Sequence, residues 1–111
     1  MKPLIVAANH PMLPGHFPGR PIVPGAFLLS WVIVQAREWL ASRAQMRVVG
    51  VRSVKFLRPV APGEAVAAVF TLSAETLKFS LSLDGERCAV GVLELLAVIA
   101  DQRDRIARSG E

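Results

Sequence analysis

The sequence predicts an α+β domain in which an antiparallel sheet wraps around one long helix. An almost continuous apolar segment over residues 26–40 has the length of a helix, and strand-like patterns fill residues 49–98. A length of 111 residues leaves no room for two domains, and a hydrophobic content of 52% suffices for one core. We therefore expect a single domain over residues 1–100, followed by a charged tail over 101–111.

The segment before the helix is too rich in proline and glycine for regular structure. Residues 11–25 hold five of the eight prolines and three of the eight glycines. That density excludes a regular helix or a central strand, so residues 9–24 are predicted to form a long irregular loop. Loops of this length within a compact domain are uncommon and often functional.

The helix begins after Pro24, a residue well suited to a first helical turn. Its run over 26–40 has four polar interruptions, which are Ser30, Gln35, Arg37 and Glu38. A helix that is apolar all round and too short to span a bilayer is typical of a buried helix wrapped by other elements.

The rest of the chain predicts consecutive antiparallel strands over residues 49–57, 66–73, 77–83 and 88–98. Asp84-Gly85 is the strongest hairpin signal in the sequence. A small sheet on one helix leaves an exposed edge and an exposed face, which a second copy usually covers. We therefore expect a homodimer, or a higher homo-oligomer, whose sheets join edge to edge.

The composition excludes several classes of function. The balance of 13 Lys+Arg against 9 Asp+Glu gives a net charge of +4, which fits an acidic partner better than nucleic acid. The single cysteine, Cys88, excludes a disulfide framework and a cysteine-built zinc site, and His10 with His16 is a weak metal signal. We expect no metal or cofactor. The uncharged run over residues 21–36 is too short to span a membrane, so a cytoplasmic protein is expected.

Two blocks of sequence point to a family. Residues 16–25 read His-Phe-Pro-Gly-Arg-Pro-Ile-Val-Pro-Gly, and residues 54–64 read Val-Lys-Phe-Leu-Arg-Pro-Val-Ala-Pro-Gly-Glu. In this order they resemble the signature of the β-hydroxyacyl-acyl-carrier-protein dehydratases of the FabZ and FabA type, and the likeness covers residues 9–96. The resemblance implies a dimeric hot-dog fold. It also implies a lyase of fatty acid or specialised lipid or polyene biosynthesis, acting on thioesters of the phosphopantetheine arm of acyl carrier protein.

The resemblance also assigns roles to residues. His16 matches the catalytic histidine of the family, and histidine titrates near neutral pH, as proton transfer requires. Gly25 matches the glycine whose backbone N–H binds the thioester carbonyl, since a helix N-terminus offers unsatisfied donors. Phe17, Pro18, Gly19 and Pro24 are expected along the loop or tunnel. Arg20, Lys55 and Arg58 are expected to contact the acidic carrier protein.

One departure from the family pattern leaves the activity open. The family carries an acid on the helix fourteen residues after the histidine, where this chain has Ser30. Ser30 either bonds the helix carbonyl four residues back or holds a water or the substrate hydroxyl. The chain is therefore a dehydratase with an incomplete catalytic pair, or a non-catalytic or heteromeric subunit that binds acyl thioesters and pairs with an acid-bearing paralogue. A hot-dog thioesterase is the least favoured interpretation, because the helix offers no carboxylate to activate water.

Overall fold

The computed structural model describes residues 2–7, 9–10 and 22–98 of the chain. Within these residues the elements follow one another as β1 (Leu4–Ile5), α1 (Gly25–Ala41), β2 (Met46–Phe56), β3 (Ala65–Ser73), β4 (Thr76–Leu83) and β5 (Glu86–Ala97). The predicted tail over 101–111 and most of the predicted loop over 9–24 lie outside the described residues. No helix in the described ranges is long and apolar enough to cross a membrane.

The five strands form one antiparallel sheet in the order β1-β3-β4-β5-β2. The predicted hairpin is confirmed, because Leu83 pairs with Glu86 across Asp84 and Gly85. Both turn residues have positive φ, 48° and 81°, as a two-residue type I′ hairpin requires. The fold class predicted from the sequence, a curled antiparallel sheet with a single helix, is confirmed.

The helix packs on one face of this sheet. It buries Leu28, Val32, Ala36 and Leu40, which recur every four residues and so form a single stripe. On another side of the helix Ser30 is exposed, and Val34 is 48% exposed. The prediction that the helix is buried all round is therefore wrong for the single chain, because one sheet covers only one face of it.

Two glycines of the sheet differ in their surroundings. In β5, a Cβ on Gly91 would lie 2.6 Å from the backbone oxygen of Ser53 and would collide with the ring of Phe79, which is buried. In β2, a Cβ on Gly50 would meet no atom within 4 Å. The absence of a side chain at Gly91 therefore leaves room for the Phe79 ring to lie against β5, whereas packing does not require a glycine at position 50.

Strand β2 forms one end of the described strand order. It pairs with β5 along almost its whole length, and no strand of the described part of the chain pairs with its other edge. Several apolar side chains on or just after it are exposed, with Val49 at 44%, Phe56 at 47% and Leu57 at 45%. An open edge with exposed apolar side chains is the kind of surface that proteins usually cover.

Candidate active site

The N-terminus of α1 has no side-chain cap among the described residues. Pro24 precedes the helix, and its carbonyl accepts hydrogen bonds from the N–H groups of Phe27 and Leu28 at 3.0 and 3.2 Å. Within this described end of α1, the first turn holds no acidic residue. The first N–H groups of a helix have no acceptor within the helix and carry partial positive charge, so this end favours a developing negative charge.

Gly25, the first residue of α1, lies against the ring of Phe56. A Cβ on Gly25 would lie 2.7, 2.9 and 3.2 Å from three atoms of that ring. The phenylalanine therefore occupies the space that a side chain at position 25 would need. Phe56 ends β2, and its ring walls one side of the helix start while remaining half-exposed. No sequence pattern singles out Phe56, although it stands in the second of the two blocks.

Ser30 follows Gly25 by about 7.5 Å along the helix axis, at 1.5 Å per residue. Its Oγ donates a hydrogen bond to the carbonyl oxygen of Ala26 at 3.0 Å. The predicted bond to the carbonyl four residues back is thus present. The side chain is exposed, however, and not the buried hydroxyl that an all-round apolar helix led us to expect.

His16 and its neighbours Phe17, Pro18, Gly19 and Arg20 lie outside the described residues, so their roles stay predictions. The described residues that flank this segment, His10 before it and Val23 after it, make contacts of their own. The ring of His10 meets the ring of Phe27 edge-on at 5.5 Å, and the N–H of Val23 donates to the carbonyl of Val60 at 2.8 Å.

The two basic residues of the second block have different environments. The guanidinium of Arg58 contacts a carboxylate oxygen of Glu64 and one of Glu86, each at 3.4 Å, so its charge is offset within the chain. Lys55 is exposed and lines a groove on the outer face of the sheet, which is the face turned away from α1. Arg58 does not line that groove. The structure thus separates two residues that the sequence grouped together.

Two further ionisable side chains of the sheet, Cys88 and Glu94, have structural environments. Burial raises the pKa of the Cys88 thiol above its ordinary value, and the nearby Arg58 lowers it by less, so Cys88 behaves as a buried apolar residue. Glu94 pairs with Arg52 at 3.2 Å on the surface. No cluster of three or more His, Cys, Asp or Glu side chains suited to a metal ion occurs within the described ranges.

The family follows from comparison with known proteins. A family model described as ApeI-like, ApeI dehydratase, matches residues 3–92. The chain belongs to the ApeI-like dehydratase family. The match spans most of the chain, including both sequence blocks, the helix start and nearly all of the sheet.

Individual relatives of this ApeI-like chain agree with that assignment. The 3-hydroxyacyl-acyl-carrier-protein dehydratase FabZ of Verminephrobacter eiseniae is 37% identical over 76 residues, which cover 60% of this chain and 50% of the relative. The FabZ of Myxococcus xanthus is 32% identical over 117 residues, covering 94% of this chain and 74% of the relative. The chain thus spans about half of the first relative and about three quarters of the second.

A solved structure supports the fold of the ApeI-like chain. The dehydratase heterocomplex ApeI:P from Xenorhabdus doucetiae aligns with a TM-score of 0.70 and 26% identity, over 84% of this chain and 82% of that one. The hot-dog fold expected from the two sequence blocks is therefore confirmed.

Proposed function

We propose that the chain is a dehydratase subunit that acts on 3-hydroxyacyl thioesters borne by acyl carrier protein. The observation that carries this proposal is the start of α1 at Gly25, which no described side chain caps and which stands in the signature block of a chain belonging to a dehydratase family. An N–H at this position can stabilise the negative charge that develops on a thioester oxygen. The FabZ relatives support the same substrate class.

The reaction needs one proton taken and one proton given. His16 removes the proton from the carbon next to the thioester carbonyl, and negative charge spreads onto the carbonyl oxygen facing the N–H of Gly25. The C–O bond to the β-hydroxyl then breaks, a C=C bond forms, and the hydroxyl leaves as water with the proton it receives. Without an acid at position 30, His16 itself returns that proton to the leaving hydroxyl. We expect this dehydration to be slow, because each positioned acid or base raises the rate of such a reaction by about 10²–10⁴-fold.

A second subunit is the alternative source of the missing acid. Ser30 and Val34 lie one turn apart on an exposed side of α1, and β2 offers an open edge with exposed apolar side chains. We propose that a second hot-dog chain covers these surfaces and continues the sheet across β2. A solved relative is itself a heterocomplex, which favours an acid-bearing paralogue as partner alongside a second copy.

The acyl carrier protein remains the proposed macromolecular partner, with Arg20, Lys55 and Arg58 as predicted contacts. A role in fatty acid or specialised lipid biosynthesis follows from this substrate class. A cytoplasmic location stays a prediction.

Steady-state assays with the purified chain test the proposal. We expect the chain alone to convert a 3-hydroxyacyl carrier thioester slowly to the enoyl thioester, and to gain rate when mixed with an acid-bearing hot-dog paralogue from the same genome. The variant His16→Ala should lose the activity in both settings. If neither setting forms enoyl product while the chain still binds the acylated carrier, the acyl-binding alternative replaces this proposal.

A further inference from the structure

We propose that Arg58 is a positioning residue for the dehydration, an inference that rests on the proposed function. Arg58 follows the end of β2 and begins the connection to β3, which we call the β2–β3 turn, residues 58–64. The backbone of this turn hydrogen-bonds the described residues at both ends of the segment that carries His16. Arg58 therefore acts through the turn and not on the reacting atoms.

The β2–β3 turn holds the two ends of that segment close together. The N–H of Val23, two residues before α1, donates a hydrogen bond to the carbonyl of Val60 at 2.8 Å. The N–H of Gly63 donates to the carbonyl of Val6, also at 2.8 Å. The side chains of Val6, Val23 and Val60 are buried in the core, which adds apolar contact to both tethers. Residues 7–22 are thus tethered at both ends to one short turn.

The side chain of Glu64 closes the β2–β3 turn. The N–H of Glu64 donates to the carbonyl of Ala61 at 3.2 Å, and between them Pro62 is followed by Gly63 with a φ of 87°. Proline and then a residue of positive φ at the two central positions are typical of a type II turn. One carboxylate oxygen of Glu64 also accepts a hydrogen bond from the N–H of Ala61 at 2.8 Å. The orientation of this carboxylate therefore bears on the conformation of the turn.

Arg58 fixes that carboxylate from its other side. The Nη2 atom of Arg58 lies 3.4 Å from the second carboxylate oxygen of Glu64, and Nη1 lies 3.4 Å from an oxygen of Glu86. The side chains of Arg58 and Glu64 are 36% and 34% exposed, whereas that of Glu86 is 72% exposed, so Glu64 is the better shielded partner. Partly exposed ion pairs add little to global stability. We therefore expect the loss of Arg58 to change the turn and not to unfold the chain.

This role differs from the contact with the carrier protein that the family resemblance gives to Arg58. Two carboxylates of the chain already offset the charge of the guanidinium, which weakens its attraction for an acidic surface. Catalysis, in contrast, is sensitive to the placement of a base, because a displacement of about 1 Å can lower a rate about 10²-fold. Loss of Arg58 should therefore lower kcat and leave KM unchanged.

Amide hydrogen exchange measured by NMR tests the tethers without any substrate. Arg58→Met removes the charge and keeps most of the side-chain length. The matched control is Arg43→Met, because the guanidinium of Arg43 also bonds within the chain, to the carbonyl of Trp39 at 2.9 Å, but at the other end of α1. We expect the N–H groups of Val23 and Gly63 to exchange about fivefold faster in Arg58→Met and at the unaltered rate in the control. Unchanged exchange at both amides in Arg58→Met overturns the inference.

Turnover of a 3-hydroxyacyl thioester of N-acetylcysteamine, which lacks a carrier protein, tests the positioning role. We expect Arg58→Met to lower kcat about tenfold at constant KM, and Arg43→Met to change neither constant. Arg58→Lys should recover part of the loss, because lysine can still pair with Glu64. Glu64→Gln keeps an acceptor for the N–H of Ala61 but loses the ion pair, so it should resemble Arg58→Met, and the two combined should lower kcat little further.

The outcomes separate this inference from the proposed function. Faster amide exchange in Arg58→Met with an unaltered kcat overturns the positioning role. So does an effect of Arg58→Met confined to the KM of the carrier-bound substrate, which would assign Arg58 to the carrier contact. If the unaltered chain is inert, the proposed function fails, and amide exchange alone then supports or overturns the tethering by Arg58. Should Arg58→Met not fold, Arg58→Lys and Glu64→Gln provide the same comparisons.

Discussion

Replacing Ser30 with glutamate restores the acid that the family carries at this helix position. Ser30 is exposed, and its replacement removes one hydrogen bond, which its Oγ donates to the Ala26 carbonyl. An exposed carboxylate keeps its hydration, and glutamate is a better helix former than serine, so the free energy of unfolding of the single chain should change by less than about 1 kcal/mol. The rate gain for one positioned acid is about 10²–10⁴-fold.

The assay follows enoyl thioester formation from a 3-hydroxyacyl carrier substrate, normalised to folded protein. Ser30→Gln is the control for shape, because it has nearly the same size and no ionisable proton. We expect a large rise for Ser30→Glu alone. An equal rise for the glutamine variant, or none for Ser30→Glu in a chain whose activity depends on His16, refutes the assignment of position 30 as the acid site.

Three further predictions follow from packing and burial. Gly91→Ala should lower the free energy of unfolding in urea by about 1–3 kcal/mol through overpacking, while Gly50→Ala, which meets open space, should be neutral or slightly stabilising. Gly25→Ala should displace the Phe56 ring and impair turnover, and adding Phe56→Leu should restore part of that turnover. If the two substitutions instead reduce turnover independently of each other, the contact is contradicted. Because burial raises the pKa of Cys88, the unfolded chain ionises first, so stability should fall as the pH rises past the ordinary value of 9.0 and Cys88→Ala should remove that dependence.

The sequence was sufficient for the elements whose signal is local. The apolar run over 26–40 predicted α1, observed as Gly25–Ala41, and the Asp84-Gly85 pair predicted the tightest hairpin. The strands on either side of the β3–β4 turn were also predicted, but the turn itself carries no sequence signal, because Ala74 occupies it with a φ of 50°, a conformation that alanine rarely adopts.

The parts that sequence could not predict depend on contacts between distant residues. The ring of Phe56 lies on Gly25, thirty-one positions earlier, and no pattern in either segment announces that contact. Lys55 and Arg58 are near neighbours in sequence, yet their surroundings differ. Arg58 pairs with the carboxylates of Glu64 and Glu86, whereas Lys55 lines the same groove as Lys78. Register shifts in β2 and β5 decide which side chains share a row, and such shifts have no sequence signature here.

We propose that this chain removes water from a carrier-bound 3-hydroxyacyl group with His16 and the helix start at Gly25. The most direct measurement is mass spectrometry of the acyl carrier substrate after incubation with a stoichiometric amount of the chain. We predict that the carrier-bound acyl group loses the mass of one water with the unaltered chain and keeps its mass with His16→Ala. A carrier left with its intact 3-hydroxyacyl group would contradict dehydration, and a carrier freed of its acyl group would indicate thioester hydrolysis instead.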